Sequence, residues 1–194
     1  MAFNPAVFPA RVDVMDYNLS LSTTGVEQSL SRFPSSLLEE AVGERFWRIA
    51  ITICGRKRAD DKAFSVWMAS LAGRVFRLPH ATLDSNLSIA VPANTQIISA
   101  EQVGARIRYT LSSAPATDKW IGRMLEINSR SVIVAAQAGH IFEAYPVIPL
   151  PTLPYTLPEA GGLRLRIDNG YFPHLTANAI GVEKTIIDCV EVPE

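Results

Sequence analysis

Residues 46–80 read FWRIAITICGRKRADDKAFSVWMASLAGRVFRLPH. Trp47, Ile49, Ile51 and Ile53 alternate with Arg48, Ala50, Thr52 and Cys54, the period of a strand with one apolar and one largely polar face. A basic turn, Gly55-Arg56-Lys57-Arg58, follows, and Asp60 is placed to cap a helix over Asp60–Ala72. Ala63, Phe64, Trp67, Met68 and Leu71 fall at helical spacing on one side of it. Gly73 stands where a left-handed residue ends a helix, and Val75–Leu78 resumes as a strand. Strand, helix and strand in this order give a sheet covered by a single helix. Its core residues are Trp47, Phe64, Trp67 and Leu71, with Gly73 as the stop.

Outward from this stretch the periodicity is mostly two. Val26–Arg32 reads as a strand, Arg106–Leu111 alternates charged or polar residues with Ile107, Tyr109 and Leu111, and Leu163–Ile167 alternates leucine and isoleucine with arginine. Met124–Asn128, Val132–Ala136 and Ile141–Ala144 are short apolar runs separated by turn residues, the pattern of a tight meander closing into a small barrel. The run Ile180–Val192 is long enough to cross and close a sheet. Apart from the helix already described, only Ser35–Ala41 has a helical pattern. Five prolines in the fourteen residues YPVIPLPTLPYTLP, Tyr145–Pro158, remove ladder donors and favour an extended connector or sheet-edge cover. With Pro79 and Pro92 they suggest a division into a β-sandwich domain, residues 1–79 plus 161–194, and an inserted small β-barrel domain, residues 80–160, with a proline-rich return.

Composition narrows the function classes. The 194 residues are 48% hydrophobic, enough for one sizeable core or two small ones. Eighteen basic and nineteen acidic residues leave a net charge of −1, which favours neither wholesale nucleic-acid binding nor an anionic membrane. The start, MAFNPAVFPARVDVMDYN, lacks an apolar core behind a basic head, and no later run approaches the ~18 apolar residues of a span. Neither export nor membrane insertion is expected. Cys54 and Cys189, the only cysteines, have no metal or redox spacing and read as reduced and buried.

A search for catalytic or metal-binding patterns is unproductive. His80, His140 and His174 have no ligand-type residue at a metal-binding offset and read as ordinary surface or half-buried imidazoles. Glu39-Glu40 and Asp60-Asp61 are adjacent carboxylates, which do not share one helix face as a general acid and base must. No nucleophile elbow, dinucleotide fingerprint or phosphate loop is present. No enzyme activity, cofactor or metal is therefore expected. Arg56, Lys57 and Arg58 form a solvated turn or an interface. Trp120 follows the turn-rich Pro115–Lys119 and is weighed as a core residue or lid against an exposed interface anchor or sugar platform, with Tyr145 and Tyr155 as possible companions.

The ordered set Trp47, Arg58-Ala59, Leu71-Ala72-Gly73 and Phe76-Arg77-Leu78-Pro79, followed more weakly by Trp120–Ile127 and Gly162–Leu165, resembles the distal tail and minor tail-tip proteins of long-tailed, siphovirus-like bacteriophages. The resemblance touches about half the chain, and residues 81–105 match nothing in it. It implies an all-β fold with one covering helix, a β-sandwich carrying an inserted small β-barrel. It also implies a structural virion protein forming a ring, typically a hexamer, between tail tube protein and tip hub protein, through which DNA passes only transiently. That places the chain at the virion tail tip after assembly in the host cytoplasm. A carbohydrate- or host-receptor-binding sandwich is the alternative and calls for exposed aromatics on one face. A small hydrolase calls for a pocket where a histidine meets a serine or carboxylate.

Overall fold

The computed structural model describes residues 8–9, 12–23, 45–55, 58–71, 74–115, 120–168, 177–178, 181–182 and 185–192. The chain is all-β and sandwich-like, built from two curled antiparallel sheets. The first sheet has five strands in the order β1 (Val12–Thr23), β2 (Arg45–Gly55), β13 (Thr185–Glu191), β10 (Gly162–Ile167) and β3 (Phe76–Pro79). The second has six, in the order β6 (Met124–Ile127), β7 (Arg130–Ala138), β8 (Ile141–Tyr145), β5 (Arg106–Leu111), β4 (Gln96–Val103) and β9 (Tyr155–Thr156). A two-stranded ribbon pairs β11 (Ala177–Asn178) with β12 (Gly181–Val182).

The alternation on β2 is realised in the first sheet. Trp47, Ile49, Ile51 and Ile53 are buried while Arg48 is exposed. Register carries the same face across the sheet: Ile51 stands opposite Ile187, Ile49 opposite Cys189, and Leu163 and Leu165 opposite Leu78 and Phe76. Helix α1 (Arg58–Leu71) lays Phe64, Trp67, Met68 and Leu71 into this core, where Phe8 also enters. The helix begins two residues earlier than expected, so Asp60 lies inside its first turn rather than at the cap. A second, four-residue helix, α2 (His80–Leu83), was not legible because one turn has no periodicity to read.

The meander is realised as β6, β7 and β8. Asn128 and Ser129, both at positive φ (52° and 60°), form the two-residue β6–β7 turn, a conformation suited to hairpins. The second core is lined by Ile97, Ile107, Tyr109, Leu111, Leu125, Ile127, Val132, Val134 and Phe142, with Tyr109 stacked on Phe142 at 5.0 Å. The sheet curls as a half-barrel and is not a closed barrel: among the described residues its edge strands β6 and β9 do not pair. A side chain links them instead, the Tyr155 hydroxyl accepting from the Asn128 N–H at 2.9 Å.

The expected C-terminal run, Ile180–Val192, is described only in part. Its described part comprises β12 and β13, and Ile180 lies outside the described residues, as do the Val26–Arg32 strand, the Ser35–Ala41 helix and the Gly73 stop. No described helix is long and apolar enough to cross a membrane.

Candidate functional site

The two cores meet at the β6–β7 hairpin, which is covered on both faces. Leu125 and Val132 face the second core, while their neighbours Met124 and Ile133 pack against the first. Glu126 and Ser131 stand opposite each other one pair further along, on the phase of Met124 and Ile133. Burial on both faces explains why β6, with Met124, Leu125 and Ile127, reads as an apolar stretch broken only at Glu126 and not as an alternation.

Ser131 is the centre of a buried polar junction between the sheets. Its carbonyl oxygen accepts from Trp47 Nε1 at 2.6 Å, and its N–H donates to Glu191 Oε1 at 2.8 Å. Its hydroxyl lies 2.9 Å from His80 Nε2 and 3.4 Å from the Gly162 carbonyl oxygen. A serine O–H donating to Gly162 leaves His80 Nε2–H to donate to Ser131, so His80 Nδ1, which has no partner among the described residues, is the unprotonated nitrogen. The second carboxylate oxygen of Glu191 accepts from the Trp47 N–H at 3.2 Å and faces Arg130 Nε at 3.5 Å. The Arg130 guanidinium also donates to the Arg45 carbonyl oxygen. Toward solvent, Glu126 accepts from Arg77 at 2.5 Å and from the Gly162 N–H at 2.9 Å.

Burial sets the electrostatics here. Desolvation pushes the Glu191 carboxyl above its usual range, against the lowering pull of the Ser131 N–H and of Arg130. Burial, aided by the Arg77 charge, holds the His80 imidazole down to about 4, so it is neutral near pH 7. Burial and the neighbouring Asp188 and Asp168 push the Cys189 thiol up to about 12, leaving it an inert core sulfur.

A serine beside a histidine is the geometry required of a hydrolase. Here Ser131 is 1% and His80 0% exposed, and Glu191 bonds the Ser131 amide rather than His80 Nδ1. Among the described residues the pair is buried and bridges the two sheets. His80 is fully buried, contrary to the half-buried or surface position expected, while His140 lies exposed in the β7–β8 turn and His174 lies outside the described residues. Among the described residues no group of three or more His, Cys, Asp or Glu could hold a metal ion.

The sequence-derived candidates divide cleanly. Trp47, Phe64, Trp67 and Leu71 are buried in the first core. Arg56 and Lys57 lie outside the described residues, and Arg58 opens α1. Trp120 is not an exposed anchor: it is 4% exposed, with its ring edge-on to Phe142 at 5.8 Å. Tyr145 is half-buried against Trp47 at 6.4 Å, and Tyr155 packs on the second core. The three rings therefore lie in two different cores and form no common face.

Sequence reasoning missed the junction. Glu191 alone carried a signal, since it continues the buried phase of Ile187 and Cys189. His80 and Ser131 are 51 residues apart and are joined only by the fold.

The remaining feature of note is an edge. Among the described residues β1 pairs only with β2, leaving the outer side of a 12-residue strand without a neighbour and Met15 55% exposed. The opposite edge, β3, is partly covered, since the Phe8 N–H donates to the Arg77 carbonyl oxygen at 3.2 Å. No model of a known protein family matches the chain, and no curated protein matches it significantly.

Proposed function

We propose that the chain is a ring-forming structural protein of a phage tail tip, seated between tail tube and tip hub. In this reading residues 1–79 plus 161–194 form the ring-forming domain and residues 80–160 an inserted domain. The observation that supports it best is β1. A long strand with an open side templates uncontrolled pairing unless something covers it, and a heterologous contact that closes into a ring covers every such edge at once. The ordered resemblance from Trp47 to Pro79 adds the direction of the reading. A receptor-binding sandwich is less favoured, because Trp120, Tyr145 and Tyr155 do not converge on one surface. Immunogold electron microscopy of particles carrying the labelled protein tests the assignment. Label at the distal end of the tube supports it; label along the tube, on the capsid or only on fibre ends overturns it.

A further inference from the structure

We propose that His80 is an acid-released latch between the five-stranded and six-stranded sheets. The proposal stands independently of the tail-tip reading.

The chain passes between the sheets twice, and both passages lie at this residue. It leaves the first sheet at Pro79–His80 and returns at Gly161–Gly162, where Gly162 is in register with Pro79 and the His80 N–H donates to the Gly161 carbonyl oxygen at 3.1 Å. The imidazole lies directly on the returning strand: a Cβ added at Gly161 would stand 2.8 Å from His80 Cε1 and Nδ1. From there Nε2 reaches Ser131 on β7, closing the crossing with a side-chain bond. A two-stranded crossing with one imidazole wedged into it is a hinge with a catch.

A second proton has nowhere to be satisfied. Nε2 is already shared with Ser131, and Nδ1 faces Gly161 without a hydrogen-bond partner among the described residues. Charged groups come from several elements around the ring, and β1 and β10, which also pack against α2, carry Asp13, Asp16, whose Oδ1 accepts from the Tyr17 N–H, and Arg164. Arg77 on β3 opposes a further positive charge, while Arg130 on β7 is turned to Glu191 and the Arg45 carbonyl oxygen. Glu126 on β6 is taken up by Arg77 and Gly162 N–H, and Glu191 on β13 by Ser131, Trp47 and Arg130. Asp84, at the end of α2, is turned to the Asn86 N–H. Protonated His80 is accordingly a buried cation without a counter-charge, whereas separating the sheets hydrates it.

The sign follows. Held down to about 4 when closed and near 6.5 when open, His80 favours the closed junction fully above pH 6.5, and that preference is lost as pH falls toward 4. Within that window His80 by itself raises the open population by about tenfold per pH unit. Glu191 acts oppositely, because its raised carboxyl gains its proton more readily in the closed junction.

Hydrogen exchange of the unmodified chain from pH 7.5 to 4.5, corrected for intrinsic rates, tests the latch. Opening of the His80 and Gly162 amides is expected to rise as pH falls below 6.5, by at most about tenfold per unit because proton uptake by Glu191 offsets part of the His80 effect, while Ile51 and Tyr109 amides in the two cores stay protected. His80→Gln, which can keep one bond to Ser131, is expected to flatten the dependence, and His140→Gln to leave it unchanged. Should His80→Gln not fold, the comparison of junction and core amides in the unmodified chain decides. Opening that is independent of pH, core amides that open together with the junction, or an undiminished slope in folded His80→Gln would each overturn the latch.

Discussion

Trp67 shows how much of this fold rests on single side chains. Its ring meets Phe8 and Phe64 at 5.4 Å and Phe76 at 5.1 Å, tying the helix to the start of the described chain and to β3. Trp67→Ala should cost about 3–5 kcal/mol through the cavity it leaves. A thermal melt matching the parent's would show that this aromatic cluster does not hold α1. Trp67→Phe should cost much less, because Trp67 Nε1 is buried without a hydrogen-bond partner among the described residues and nothing polar is lost with it. Gly161 is constrained by space: alanine there drives a methyl group into the His80 ring, which is fully buried and cannot swing aside. Gly161→Ala should destabilise by about 1–3 kcal/mol, read by denaturant titration.

Between elements, the decisive pair is Arg130 on β7 with Glu191 on β13, whose side chains are 3% and 1% exposed. Glu191→Ala leaves the Arg130 charge buried and the Ser131 and Trp47 N–H groups without their acceptor, and should cost about 3–5 kcal/mol. The double variant Arg130→Met/Glu191→Leu, which removes both charges, should recover part of that loss in the same unfolding assay; a loss equal to the sum of two singles would contradict a coupled pair. The strand–helix–strand around α1 was legible because its alternation and its helical spacing are each confined to one segment. The meander was legible from its turn residues. β1 shows the opposite case. Tyr17, Leu19 and Leu21 alternate with Asn18, Ser20 and Ser22, but the register shift after Val14 breaks the phase just where the strand begins. The site was almost illegible, since Ser131, His80 and Glu191 come from three distant segments and only the curl of two sheets unites them.

For the whole molecule, the proposed ring makes β1 a contact between copies. Met15→Lys should leave the isolated chain's melt within about 0.5 kcal/mol of the parent's, because the residue is 55% exposed, yet should prevent assembly into tails. An assembled variant particle indistinguishable from the parent would remove β1 from the interface. Cryo-electron microscopy of the tail end is the most direct test of the central claim. A closed ring of this chain beneath the last tube layer, with a continuous lumen and β1 at the subunit contact, is the result expected; a tail end whose density excludes the chain, or that holds it as isolated copies outside the tube axis, would contradict it.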